Sequence, residues 1–330
     1  MRMDARSSSR RYSILAFPIV GALLAALPFV LTNNYHIGVM VFIGIHTILA
    51  LGLNLLIGYA GQVSLGHAAF YGIGAYTTAI LTTALNWPAW IGLFCAPVVT
   101  GLAAYLIGMP TLKLKGHYLA MATLGFGMIV KIFFVEFSPL TGGTSGITGI
   151  PPLTLGSIQL VNDKQYYYVV WFFALLLIWV SYNIVESRVG RALRAVHTSE
   201  IAAASVGVDI AKYKIQVFVL SGVYCGLAGA LYAHYIRFVN PDPFGFMFSI
   251  QLVVMVVVGG MASIWGAIAG ASTITFLSQA LQRFEDFEVI VFGAILVFVM
   301  IYMPQGLTKS IVDLAGRRQL ARLRKPEVLP

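Results

Sequence analysis

Residues 12–112 read YSILAFPIVGALLAALPFVLTNNYHIGVMVFIGIHTILALGLNLLIGYAGQVSLGHAAFYGIGAYTTAILTTALNWPAWIGLFCAPVVTGLAAYLIGMPTL. No Asp, Glu, Lys or Arg interrupts this stretch between Arg11 and Lys113. A soluble domain is roughly one-quarter charged, so no solvated surface can be assembled from such a run. Lipid is the solvent that suits it, because lipid accepts apolar side chains and forces every backbone amide into a helix or a closed barrel. The run has no period-2 alternation, which favours helices over a barrel. The rest of the chain carries the same bias: 59% of its 330 residues are hydrophobic, 10% are charged, and mean hydropathy is +0.86.

One span takes about 20 apolar residues at roughly 1.5 Å of rise each. Residues 12–112 therefore hold four spans, expected near 13–31, 38–57, 66–85 and 87–109. Further spans are expected near 117–136, 166–185, 214–236, 248–263, 265–282 and 288–303. The charge-free run from Pro243 to Gln282 is too long for one span. Gly259, Gly260 and Gly266 offer the break, since glycine weakens a helix interior. The expected fold is all-α: one polytopic transmembrane domain over residues 1–330 with about ten helices and short basic tails at 1–12 and 304–330.

Basic residues orient these spans, because cytoplasmic loops are enriched in Lys and Arg. With ten spans and an internal N-terminus, four inside segments hold seventeen of the 21 basic residues. These segments lie around Arg2–Arg11, Lys113–Lys115, Arg188–Lys214 and Lys309–Lys325. Both termini are thus expected in the cytoplasm, and the net charge of +9 reads as topology and contact with anionic lipid. Spread over four segments, it makes a poor nucleic-acid patch. The apolar stretch after the N-terminal arginines exceeds a signal-peptide core and is read as the first span. Cys95 and Cys225 both fall within spans and form neither a disulfide framework nor a metal site.

The chemistry that is missing narrows the function. The sequence has no G-x-x-x-x-G-K-[ST] phosphate cradle, no H-E-x-x-H, no C-x-x-C and no G-x-S-x-G. No catalytic residue, metal or cofactor is expected. Few carboxylates lie within spans, which argues against a relay of stacked acids. An energised pump built on this chain must take its energy from another subunit.

Three segments stand out from the apolar background. The first, Gly58–Tyr76, sets five glycines among Gln62, Ser64 and His67. Irregular backbone at membrane depth is tolerated only against protein or a water-filled cavity. Asn54, Gln62, Ser64, His67 and Tyr71 are accordingly the candidate path residues, the bland alternative being a turn followed by a glycine-rich packing face. The second, Thr141–Pro152, carries Gly142, Gly143 and Gly146 in an outer loop. It follows no strand and holds no lysine, so an ordered external cap suits it better than a phosphate cradle. The third is the long basic loop Glu186–Lys214. There Ser199 or Thr198 can cap a helix, Glu200 suits the positive end of its dipole, and Gly207 is a natural stop. Around this short helix, Arg191, Arg194, Ser199, Glu200, Ala202, Ala203 and Gly207 form a candidate protein-docking loop. Without large apolar anchors it fits a protein cleft better than a lipid surface. Reversing the charge of Glu200 is expected to be mild, as for an exposed ion pair.

Several strings in order resemble the permease subunits of branched-chain amino acid ABC importers: GYAGQVSLGHAAFYGIGAY, YLAMATLGFGMIVK, TGGTSGITGIPP, GRALRAVHTSEIAAASVGVDIAKYK, LAGALYA, VVVGGMASIWGAIAGA and MPQGL. The resemblance covers about residues 35 to 307. It implies a bacterial inner-membrane importer of two different permeases, two cytoplasmic ATP-binding subunits and a periplasmic solute-binding protein. It further implies that Glu200–Gly207 docks in an ATP-binding subunit. Members of that family often carry an acid where Met128 stands, three residues before Lys131, so Lys131 here is expected to reach toward the outer surface. Uptake of branched-chain or other hydrophobic amino acids is the expected function. The same machinery moving urea, amides or another small solute, and a stand-alone channel, are the alternatives.

Overall fold

A computed structural model of the chain describes residues 20–30, 33–155 and 158–281, with isolated positions 18, 290, 293, 294 and 297. The tails, both termini and the span expected near 288–303 lie outside the described residues. So does much of the first expected span, of which α1 (Val20–Val30) is described.

The described chain is a helical bundle. α2 (Asn34–Asn54) runs on as a single π-helical turn, Leu55–Tyr59. It is followed by α3 (His67–Thr83), α4 (Ala89–Thr111), α5 (His117–Glu136) and the short α6 (Ser138–Thr141). α7 (Asp163–Glu186), α8 (Arg188–Thr198), α9 (Glu200–Ser205) and α10 (Ile210–Ile236) come next, then α11 (Phe246–Gly259) and α12 (Ile264–Leu281). Five of these are long and apolar enough to cross a membrane: α2 with its π-turn, α4, α5, α7 and α10. The chain is thus an all-α, multi-pass membrane protein. The charge-free run after Pro243 does divide in two, but at Gly260–Ser263. Gly260 has a φ of 112°, whereas Gly266 lies inside α12 and is not part of the break. Gly266 serves packing instead, since a β-carbon there would sit 2.7 Å from the Gly259 carbonyl oxygen.

α2 is the hub. Fourteen of its residues, from Ile37 to Asn54, are buried, against three on α5. Helices in lipid gain little hydrophobic drive from association and rely on close packing of small residues. α10 supplies these. A β-carbon on Gly229 would lie 2.3 Å from the Tyr71 carbonyl oxygen, and one on Gly226 2.7 Å from Thr100 Oγ1, so α3 and α4 press onto its backbone.

The bundle has two distinct ends. At one, β1 (Ile147–Thr148) pairs antiparallel with β4 (Phe238–Val239), while β2 (Thr154–Leu155) pairs with β3 (Ile158–Gln159). His234 near the end of α10 sets its ring nitrogens against Pro151 O (2.8 Å) and Ala89 O (3.1 Å). Tyr235 donates to Asp163 (3.2 Å), and Tyr35 to Gln279 (3.3 Å). At the other end, α8 and α9 meet the loop before α5 and the π-helical turn. From α2 onward the long described helices alternate between these ends.

Candidate translocation and coupling sites

The glycine-rich segment is a break in the membrane helices. α2 loosens into its π-turn, the chain leaves helical geometry from Gly61 to Gly66, and α3 begins at His67. Gly61 adopts φ 68°, where a β-carbon is strained, and the same β-carbon would lie 2.8 Å from the His197 ring. Gln62, Ser64 and His67 are all buried. Ser64 Oγ lies 3.1 Å from His67 Nδ1, and His67 Nε2 meets the Ser221 hydroxyl on α10. Thr123 on α5 accepts from the Leu65 amide at 3.0 Å. These bonds satisfy Ser64 and His67. Gln62 is different: neither its Nε2 nor its Oε1 has a partner among the described residues, although both atoms are out of solvent. An unsatisfied buried amide is costly, roughly 1–3 kcal/mol per lost partner, and calls for a physical reason.

Asn54 and Tyr71, the other two expected path residues, sit elsewhere. Asn54 at the end of α2 spans to the second break: its Nδ2 donates to Ser263 O (2.7 Å) and its Oδ1 accepts from Ala262 N (3.0 Å). Tyr71 is buried one turn along α3, with its ring stacked on Phe248 at 5.4 Å and edge-on to Phe244 at 5.1 Å. The five candidates thus form a bonded Ser64–His67 pair, an unsatisfied Gln62, a clamp and an aromatic cluster, not one converging pocket.

The basic loop forms two helices where the sequence suggested one. α8 is amphipathic and buries Leu193 and Val196. Ser199 caps α9, accepting from Ala202 N at 3.3 Å, and Gly207 at φ 81° ends the turn beyond it. Arg191 and Arg194 donate to the carbonyls of Glu186 (3.3 Å) and Val185 (3.0 Å), so they complete the end of α7. Three expectations need correction. Ala203 is buried, so a larger side chain there would strain the bundle itself; Ala202 faces out. The helix does carry apolar anchors, because Ile201 and Val206 are 84% and 76% exposed. Finally, Glu200 is no isolated surface charge. It joins Lys214 (2.5 Å) on α10 to Lys115 (3.2 Å), and the Lys214 side chain is only 8% exposed. The hydrogen bond from Lys214 is the main reason its carboxyl lies below the ordinary value.

The loop from Thr141 to Pro152 is held by backbone geometry. Gly142, Gly143 and Gly146 all have positive φ, and a β-carbon on Gly146 would fall 2.2 Å from Val239 O. This close approach lets β1 pair with β4. Lys131 on α5 reaches the same end, with its Nζ 3.3 Å from the place a β-carbon on Gly245 would occupy.

The family described as branched-chain amino acid transport system / permease component matches residues 35–300, which include both helix breaks, α8–α9 and the outer loop. The chain belongs to this permease family. Among its relatives, the high-affinity branched-chain amino acid transport permease LivM of Escherichia coli is 32% identical, over 86% of this chain and 72% of its own. The LivM protein of Salmonella typhimurium is 30% identical over 92% of this chain and 76% of its own. The LivH permease of Escherichia coli is 25% identical, over 79% of this chain and 90% of its own. No solved structure matches this permease. The sequence pointed to Asn54, Ser64 and His67 but not to the partners Ser221, Ala262 and Ser263, nor to His197 beside Gly58. Ala262, Ser263 and His197 stood inside quoted strings, but no periodicity marked them.

Proposed function

We propose that this permease is the membrane-spanning subunit of an ATP-driven importer of branched-chain or other hydrophobic amino acids, in a bacterial inner membrane. On this reading ten helices cross the bilayer, both termini are cytoplasmic, and α8–α9 faces the cytoplasm. The basic segments Lys113–Lys115 and Arg188–Lys214 support that orientation. A second, different permease completes the path, two cytoplasmic ATP-binding subunits hydrolyse ATP, and a periplasmic protein delivers solute. The naming of LivM and LivH relatives as separate permeases supports the paired arrangement.

The observation that carries this reading is the short helix Glu200–Ser205. Ile201 on it and Val206 just beyond its end are mostly exposed while Glu200 is tied to Lys115 and Lys214. A helix of six residues is unstable alone in water, and two exposed aliphatic side chains beside anchored charges suit a docking edge. Ser199, Glu200, Ala202 and Gly207 shape that edge, with Arg191 and Arg194 fixing its root and Ala203 seating it on the bundle. Gln62 is the candidate group for the solute: its free amide donor and acceptor match a zwitterion's carboxylate and ammonium once the path opens. Ser64, His67 and Tyr71 then shape the wall of the path, and Gly142, Gly143 and Gly146 fix the outer cap that meets the delivery protein.

The test is uptake into liposomes containing the full complex. Leucine uptake that requires ATP, the ATP-binding subunits and the loaded binding protein is the expected result. Solute flux through this chain alone supports the stand-alone channel instead, and preferential uptake of urea or a short amide moves the substrate class.

A further inference from the structure

Both helix breaks contain a residue in the left-handed backbone region, and each of the two is held by a side chain from outside its own segment. In the first break, Gly61 at φ 68° packs against the His197 ring. In the second, Ala262 at φ 58° is a non-glycine residue in the left-handed region, which costs of order 1 kcal/mol or more unless its surroundings fix it. Asn54 does so by accepting from the Ala262 amide at 3.0 Å and donating to the Ser263 carbonyl at 2.7 Å.

The two breaks also touch. A β-carbon on Gly58 would lie 2.3 Å from Ala262 N and 2.4 Å from Asn54 Oδ1, so the π-helical turn and the second break are packed backbone to backbone. From the other side, His197 at the end of α8 sets its Nδ1 3.0 Å from the Gly58 carbonyl oxygen. A continuous chain of contacts therefore runs from α8, through His197 to Gly58, and through Asn54 to Ala262 and Ser263. α9 follows α8 directly, with Ser199 as the shared residue.

We infer that His197 and Asn54 are positioning residues that bind the two helix breaks to the α8–α9 pair, so that displacement of that pair moves both breaks as one unit. The inference rests on the ATP-coupled reading above, because it needs a subunit that moves α8–α9.

The experiment uses the whole complex in liposomes and measures ATP hydrolysed per solute moved, alongside co-purification of the ATP-binding subunits. His197→Ala and Asn54→Ala should keep the subunits bound yet raise ATP per solute roughly tenfold, the factor that about 1.4 kcal/mol represents, within the range for one orphaned buried hydrogen-bond partner. His197→Gln, which keeps an amide donor for the Gly58 carbonyl, should recover most of the coupling. Ala262→Gly should partly rescue Asn54→Ala, because glycine adopts the left-handed conformation without a β-carbon penalty. Unchanged ATP per solute in both alanine variants overturns the inference. Assembly lost in both, with no recovery in His197→Gln or in the Asn54→Ala, Ala262→Gly double variant, overturns it as well and leaves these contacts to folding. A wild-type complex in which the ATP-binding subunits never associate instead removes the reading on which the inference rests.

Discussion

Replacing Ile201 and Val206 by Asp tests the docking edge most directly. Ile201 is 84% exposed and Val206 76%, so neither contributes appreciably to the bundle's own packing. Fully burying one such side chain is worth about 1.5–3 kcal/mol. Scaled by the exposed fraction, each has roughly 1–2.5 kcal/mol to give to a partner. One substitution should therefore weaken association with the ATP-binding subunit about 5- to 60-fold, and the pair more, short of strict additivity because the sites are neighbours. An aspartate adds the cost of burying a charge. The bundle should be untouched, so thermal unfolding of the isolated permease in detergent is the control. The assay is titration of purified ATP-binding subunit against the immobilised variant. Wild-type affinity in both single variants and in the double variant would falsify the docking role. An unfolding temperature lowered as much as affinity would show that these side chains serve the bundle after all.

Three further outcomes follow from particular contacts. Cysteines at Lys164 and Lys325, in a background lacking Cys95 and Cys225, should differ, position 164 alone reacting with an impermeant thiol reagent in intact cells; labelling at 325 refutes the orientation. Gln62→Leu removes an amide that has no partner, so the assembled protein should be unchanged or up to about 3 kcal/mol more stable while leucine uptake falls; a stability loss with normal uptake of the surviving complex places the amide in packing. Glu200→Lys should be clearly harmful, because it leaves the nearly buried Lys214 ammonium facing two further cations. Its hydrogen bonds hold the Glu200 carboxyl below the ordinary carboxylate range, so the stability it confers is complete above that range and lost only as pH falls through the lowered value. Protease resistance of the 187–209 loop should therefore be flat across neutral pH and drop in acid, and Glu200→Gln should abolish the acid step; a step near neutral pH contradicts the assignment.

The fold was legible wherever hydrophobic run length decides structure. Residues 87–109 and 117–136 anticipated α4 and α5 to within two residues at each end, because in lipid the length of an apolar run and the length of a helix are the same constraint. Local chemistry was equally readable where one residue suffices, as with the Ser199 cap and the left-handed Gly207. Gly259, Gly260 and Gly266 show the limit. All three looked like breaks, but glycine allows both a turn and a close helix crossing, and only the neighbouring chain tells which is used. The same holds for exposure. Three alanines in a row gave no sign that Ala203 points inward and Ile201 outward, since a helix of six residues has too few turns to establish an apolar face.

What the sequence could not hold is pairing across the chain. Asn54 and Ala262 are separated by 208 residues and His197 and Gly58 by 139. No spacing rule joins them, and an asparagine inside an apolar run reads equally well as a path residue or a clamp. The structure separates the two by satisfaction. Asn54 is satisfied by Ala262 and Ser263, and His67 lies between two hydroxyls, whereas the Gln62 amide meets nothing. A polar group that a membrane protein buries and satisfies is explained by the fold. One that it buries and leaves unsatisfied is retained against a cost of a few kcal/mol, and a solute that supplies the missing donor and acceptor during transport is a sufficient reason. On the proposed reading Gln62 is the stronger candidate for solute contact than Ser64, His67 or Tyr71, which the sequence alone ranked together.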